Sequence, residues 1–324
     1  MQLFYEIVLP VVLIITTGFV AARLRFISAD GVKALFDATF LIFTPALLFG
    51  AMARVDIEHL SPGAAFAYYA VTAPLFTAAL AWQRWRGRPM STAAVRALGM
   101  VFSNTIMLGI PLIKLVYGET GLPFLLTIIA VHALIFLTAA TLAIEFGQTS
   151  RLEASAAAAE GDAAQRRRLL LLHVATVAKA ALLHPVVLPI LAGLAWRLLG
   201  LPLPKPIDMT LTTMGTASTP LCLVLLGASL AQFDLRLGLA AAAVLTAFKG
   251  LIVPTLVWCV GRFVFHLDEL PLAIATLTAA LPIGANVYLF AQRYQAEVGV
   301  ISTGVMMSTL FSGVSLPLLL FLLR

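Results

Sequence analysis

The chain has 324 residues, of which 61% are hydrophobic and only 11% charged, with a mean hydropathy of +1.01. A soluble domain carries about a quarter charged residues, so that class is excluded. The formal charge of +6 is no nucleic-acid footprint either, because the basic residues sit in short loops beside apolar runs. Stretch after stretch is long enough, at about 20 apolar residues, to cross a bilayer as a helix. The expected class is an all-α polytopic membrane protein.

In chain order, the first predicted span covers residues 3–22. Glu6 is the only charge before Arg23, and the basic pair Arg23 and Arg25 follows the apolar run, which reads as a retained first helix rather than a signal peptide. A second span at 34–53 carries Thr44-Pro45, and a third at 64–83 ends in Arg84, Arg86 and Arg88. The fourth, at 97–117, contains Ser103-Asn104-Thr105-Ile106-Met107-Leu108-Gly109-Ile110-Pro111. Pro111 lacks an N–H and crowds the carbonyl four residues back, while Gly109 weakens the same turn, so this helix must break. Tyr117-Gly118-Glu119-Thr120-Gly121 makes a tight turn into a fifth span at 122–146.

Residues 147–182 are then a cytoplasmic linker, polar and alanine-rich up to Arg166-Arg167-Arg168, with an amphipathic lead-in at 169–183. They separate two halves, 1–146 and 183–324, and the second repeats the plan of the first. Spans follow at 183–200, 208–231 (with Thr219-Pro220), 238–264, 270–293 and 299–323. The ninth contains Leu281-Pro282-Ile283-Gly284-Ala285-Asn286, a second apolar run interrupted by proline and glycine. Five spans plus five invert the second half relative to the first. Charge agrees: with both termini outside, the cytoplasmic loops collect Arg23, Arg25, Arg84, Arg86, Arg88 and Arg166 to Arg168, leaving Arg54, Arg197, Lys205, Arg262 and Arg324 outside. The fold expected is therefore ten transmembrane helices as two inverted five-helix repeats. Paired interruptions in corresponding places of two halves are the sequence mark of a secondary transporter's substrate site.

Other chemistries find no support in the residues. No His-Glu-x-x-His zinc motif and no nucleotide-binding P-loop is present, and the five histidines are scattered, so neither an intramembrane enzyme nor an ATP-driven pump is expected. No carboxylate ring or filter-like loop marks a channel, although an inverted repeat does not exclude an anion channel. Cys222 and Cys259 fall inside spans and read as small core side chains. No metal and no cofactor is called for.

The order and spacing of several motifs together resemble the auxin efflux carrier family. They are Phe43-Thr44-Pro45-Ala46-Leu47-Leu48-Phe49, Ser103-Asn104-Thr105 with Leu108-Gly109-Ile110-Pro111, Leu226-Gly227-Ala228-Ser229-Leu230, and Ala280-Leu281-Pro282 to Asn286 with Ala291-Gln292-Arg293-Tyr294. Ile106-Met107 departs from the Gly-Phe often found after the Asn-Thr of that family. The resemblance implies a fold similar to bile-acid sodium symporters, with broken helices four and nine crossing near the midplane. It implies a carrier of organic anions, such as auxin in plants or malonate-like carboxylates in bacteria, sited in the cell (inner) membrane. It also implies a scaffold of helices one, two, six and seven that forms a homodimer, and a moving core of the other six.

An anion at the middle of a bilayer needs positive charge or hydrogen-bond donors. Half-helix N-termini beyond each break supply N–H groups and partial positive charge, which brings in Gly109, Pro111, Pro282 and Gly284 as the residues that make the breaks. Asn104 and Asn286 either touch the ligand or patch the freed backbone; Ser103 and Thr105 either line the site or bond within their own helix. Lys249, mid-span, either attracts the anion or holds broken-helix carbonyls. His132 either binds a carboxylate or carries a coupling proton, or is a packed core residue; Asp37 is a second candidate for coupling. Export of a monoanion and proton-coupled uptake of a dicarboxylate both remain compatible with the residues.

Overall fold

The computed structural model describes residues 9–55, 62–155, 187–231 and 238–323. All the described elements are helical. We number them α1 (Leu9–Arg23), α2 (Ala29–Ala53), α3 (Gly63–Trp85), α4a (Met90–Val101), α4b (the π turn Thr105–Gly109 and 110–117), α5 (119–155), α6 (Val187–Leu198), α7 (Lys205–Leu230), α8 (Leu239–Phe263), α9a (Glu269–Ala280), α9b (Ala285–Arg293) and α10 (Val298–Leu322). Six stretches are long and apolar enough to cross a membrane: α2, α3, Thr105–Ile144, α7, α8 and α10. Of the shorter apolar helices, α4a and α9a end at breaks, while α1 and α6 abut residues outside the described set.

Local chemistry sets these boundaries. Ser28 caps α2 by accepting from the Gly31 N–H at 3.1 Å, with Asp30 in the first turn. Gly118 separates α4b from α5 with φ 61° and ψ −148°, a conformation closed to most side chains. Three π turns, Thr39–Phe43, Thr105–Gly109 and Phe248–Ile252, each end two residues before a proline: Pro45, Pro111 and Pro254. The wider turn makes room for a ring that would otherwise strike the preceding carbonyls.

Here the structure relocates an expected feature. The chain leaves helical geometry at 102–104, ahead of Gly109 and Pro111, and Pro111 lies two residues past the π turn inside the helix that follows, where the wider turn accommodates its ring. α5 also continues to Ser155, nine residues past the expected end of the span at 146. Most of the expected linker, the amphipathic lead-in and the Arg166 to Arg168 cluster lie outside the described residues.

α1 packs on α7, and α2 packs on both α6 and α7. The contacts are close: a Cβ on Gly18 would enter the Val224 carbonyl, and one on Gly227 the Ile15 carbonyl. Small residues serve membrane helices in this way, letting backbones approach where no hydrophobic force drives association. Arg54 pairs with Asp208 at 2.6 Å, and Arg197 donates to the Val55 carbonyl at 2.8 Å, fastening these helices near one end. Elsewhere α3 packs on α4a and α8, and α8 on α9a and α10, while His132 of α5 meets Phe102 and Ser103 just beyond the end of α4a. Between these helices Leu98, Val101, Leu125, Ile128, Leu277, Ile283 and Val305 form a continuous buried core around the two breaks.

Candidate functional site

The interruptions of α4 and α9 touch, and they do so through backbone. Ser103 and Ile283 form an isolated antiparallel bridge. The Gly284 N–H donates to the Phe102 carbonyl at 3.0 Å, and the Asn104 N–H donates to the Pro282 carbonyl at 2.9 Å. An unwound segment in lipid must find partners within the protein, and here each break supplies the other's. Gly284 is needed for the approach: a Cβ there would lie 2.8 Å from Phe102 Cδ1 and 3.1 Å from the Ser103 carbonyl oxygen.

Four side chains from neighbouring helices satisfy what the bridge leaves. The Ser103 N–H donates to His132 Nε2 of α5 at 3.2 Å, and the Ile283 N–H to Ser308 Oγ of α10 at 3.0 Å. At the end of α4a, the Tyr68 hydroxyl reaches the Val101 carbonyl at 3.4 Å and Ser103 Oγ at 3.0 Å. At the end of α9a, the Lys249 ammonium donates to the Ala279 carbonyl.

Two nitrogens remain. Because His132 accepts through Nε2, its neutral ring carries hydrogen on Nδ1, and that atom is buried without a hydrogen-bond partner. Asn104 holds the N-cap position of α4b with φ −76° and ψ 65°, but its side chain makes no capping bond, and Nδ2 is likewise buried and unpartnered. Both residues line a cleft with room for water centres of about 50 Å³. Ser103, Thr105, Gly284 and Asn286 line it too, so the starts of α4b and α9b open into one space. The apolar wall includes Phe102, Ile129 and Leu289, with Phe36 and Phe40 of α2 stacked at 4.3 Å. Among the described residues that line it there is no lysine, arginine or carboxylate.

The other expected site residues fall elsewhere. Gly109 packs beneath the second break, where a Cβ would stand 2.8 Å from Leu281 Cδ1. Pro111 is buried and does not line the cleft, Pro282 contributes its carbonyl to the bridge, and Lys249 is fully buried at the end of α9a. Asp37 is exposed on α2, one residue beyond the cleft-lining Phe36. Sequence reasoning missed Tyr68, Ser308, Phe36 and Phe40. A tyrosine inside an apolar span could have suggested the first; one serine among many on α10, and phenylalanines in a phenylalanine-rich chain, carried no signal.

Comparison with known proteins places the chain among membrane transporters. A family model described as "Membrane transport protein" matches residues 3–320. A Rhizobium meliloti protein named "Putative malonate transporter" is 25% identical over 98% of this chain and 95% of its own. An "Uncharacterized transporter" of Methanothermobacter thermautotrophicus is 24% identical over 97% and 96%. The "Auxin efflux carrier component 8" of Arabidopsis thaliana is 23% identical over 65% and 66%. Matched along nearly its whole length, the chain belongs to the membrane transport protein family, that of the auxin efflux carriers, and is a multi-pass transporter rather than an enzyme.

Proposed function

We propose that this protein is a secondary carrier of small organic anions, carboxylates such as malonate or auxin-like acids, acting by elevator-type alternating access. The observation that carries the reading is the pair of buried, unpartnered donors, Asn104 Nδ2 and His132 Nδ1, in the cleft where two half-helix N-termini begin. An unmade buried hydrogen bond costs about 1–3 kcal/mol, and an anion bound there would remove that cost. With no cationic side chain among the described lining residues, compensation falls to these donors, to Asn286, and to the partial positive charge of the α4b and α9b starts. The names of the malonate and auxin relatives support a carboxylate as cargo.

In this reading the ten spans form two inverted five-helix repeats. α1, α2, α6 and α7 are the scaffold, through which two copies pair, and the crossing rides in the bundle of the other six. The chain sits in the inner membrane with both termini outside. Export of a monoanion from a cell at about −100 mV would release roughly 2.3 kcal/mol without ion coupling.

The test is a thermal-shift screen of small carboxylates on purified protein, repeated with Asn104→Ala and Asn286→Ala. A true ligand stabilises the wild type by binding linkage and shifts the variants less; equal shifts would remove the asparagines from the site. In proteoliposomes, counterflow of the ligand so found identifies a carrier, and non-saturating flux without counterflow a channel.

A further inference from the structure

The end of α9a is a cluster of carbonyls deprived of their helical donors. The Thr278 carbonyl would receive from residue 282, which is a proline without an N–H. The Ala279 carbonyl would receive from Ile283, whose N–H goes to Ser308 Oγ instead, and the Ala280 carbonyl from Gly284, whose N–H goes to Phe102. These groups form the negative end of a half-helix facing a break. In secondary transporters such ends, together with unwound carbonyls, are where a co-transported cation is coordinated.

In this chain a side chain reaches that end. Lys249 lies in the π turn of α8, is fully buried, and places its ammonium on the Ala279 carbonyl. No carboxylate accompanies it: among the described residues no aspartate or glutamate is buried. The end of α4a has lost its donors in the same way, since the N–H groups of Ser103, Asn104 and Thr105 go to His132, Pro282 and Ser103, yet the side chain it receives is the neutral phenol of Tyr68. The charge is therefore confined to one of two otherwise similar ends.

We propose that the Lys249 ammonium is a tethered counter-ion, standing where a co-transported metal cation would otherwise bind, so that the crossing carries its own cation and the carrier works without sodium. Lys249 acts as a positioning residue: it fixes the end of α9a, and through the bridge the geometry of the cleft, without touching the cargo. The inference deepens the carrier reading and rests on it for its consequence in transport, but its structural part can be tested alone.

Lys249→Ala deletes three methylenes and the ammonium, the atoms of one propylammonium ion. Thermal unfolding of the purified variant is expected well below wild type, with propylammonium restoring the midpoint and 1-propanol, of similar shape but neutral, failing to. Equal rescue by both, or rescue by neither, would overturn the proposal. Should the alanine variant not survive purification, Lys249→Met decides the matter by keeping the unbranched stem as far as Cε without the charged nitrogen. A methionine protein with wild-type stability and wild-type ligand shifts would show the charge to be dispensable. Exchange of sodium for N-methylglucamine should leave carboxylate-induced shifts of the wild type unchanged, and their loss would show that a metal ion is still required. If no carboxylate shifts the wild type at all, the carrier reading fails while the propylammonium result still decides the counter-ion.

Discussion

At the first break the freed backbone is served by a phenol and an imidazole, Tyr68 and His132; at the second it is served by an ammonium and a hydroxyl, Lys249 and Ser308. The arrangements correspond part for part, with one partner closing the incoming half-helix and another taking the N–H in mid-bridge. They differ in what is left over. Both unpartnered buried nitrogens at the crossing, Asn104 Nδ2 and His132 Nδ1, belong to the first break or its partner. The second break keeps no such reserve there, and its cation, Lys249, is not among the residues that line the cleft. Under the function proposed above, the first break is the side that would meet cargo and the second the side that anchors.

The most severe challenge to this contrast is to separate the two halves. Gly284→Val would put side-chain atoms into the Phe102 ring and the Ser103 carbonyl. Overpacking of this kind costs about 1–3 kcal/mol, and each bridging hydrogen bond left unmade adds about 1–3 kcal/mol. This variant should have the lowest unfolding midpoint of the series in detergent. A midpoint near that of wild type would mean that the bridge contributes little. The two mid-bridge acceptors come next. His132→Ala removes the acceptor of the Ser103 N–H and also a ring packed 4.3 Å from Phe102 and 5.3 Å from Phe136, for a loss of about 3 kcal/mol. Ser308→Ala removes the acceptor of the Ile283 N–H with almost no volume, so about 1–2 kcal/mol is expected. Equal costs for the two would contradict the larger structural role given to the histidine.

How much of this was legible in the chain follows from the range of each interaction. Helix positions were readable because membrane spans are long apolar runs and Gly118 interrupts one locally. The interruption between Pro282 and Gly284 was found where expected, since proline and glycine themselves occupy it. The first was misplaced by several residues, because Pro111 acts on its own turn while the unwinding at 102–104 is stabilised by Pro282 and Gly284, some 180 positions away along the sequence. No local pattern reports such a partner. For Lys249 the residues alone left two roles open, and the bond to the Ala279 carbonyl places it on a broken-helix end rather than in the cleft. Phe36 and Phe40 were invisible as cleft residues because one exposed face of α2 looks like any lipid-facing stripe until α4b and α9b are set beside it.

The smallest expected effect on stability is also the one that best distinguishes the two breaks. Asn104→Ala removes a buried amide whose Nδ2 has no partner, so a donor with an unmet bond disappears together with its side chain. The backbone N–H of residue 104, which holds the bridge to Pro282, is untouched. Unfolding should therefore move by no more than about 1 kcal/mol. Binding should respond very differently, because a hydrogen bond to a charged carboxylate is worth about 1.5–3 kcal/mol, and every 1.4 kcal/mol is about tenfold in affinity. Titration with malonate and with an aromatic acetic acid, whichever binds the wild type, should show roughly a ten- to hundredfold loss for Asn104→Ala. Asn286→Ala should lose less, since that side chain is only half-buried at the cleft wall. The reverse order would assign the reserve to the second break. It would leave Asn104 Nδ2 as an unmet donor with no cargo to meet it, and the anchoring role given to the α9 side would have to be exchanged for a binding one.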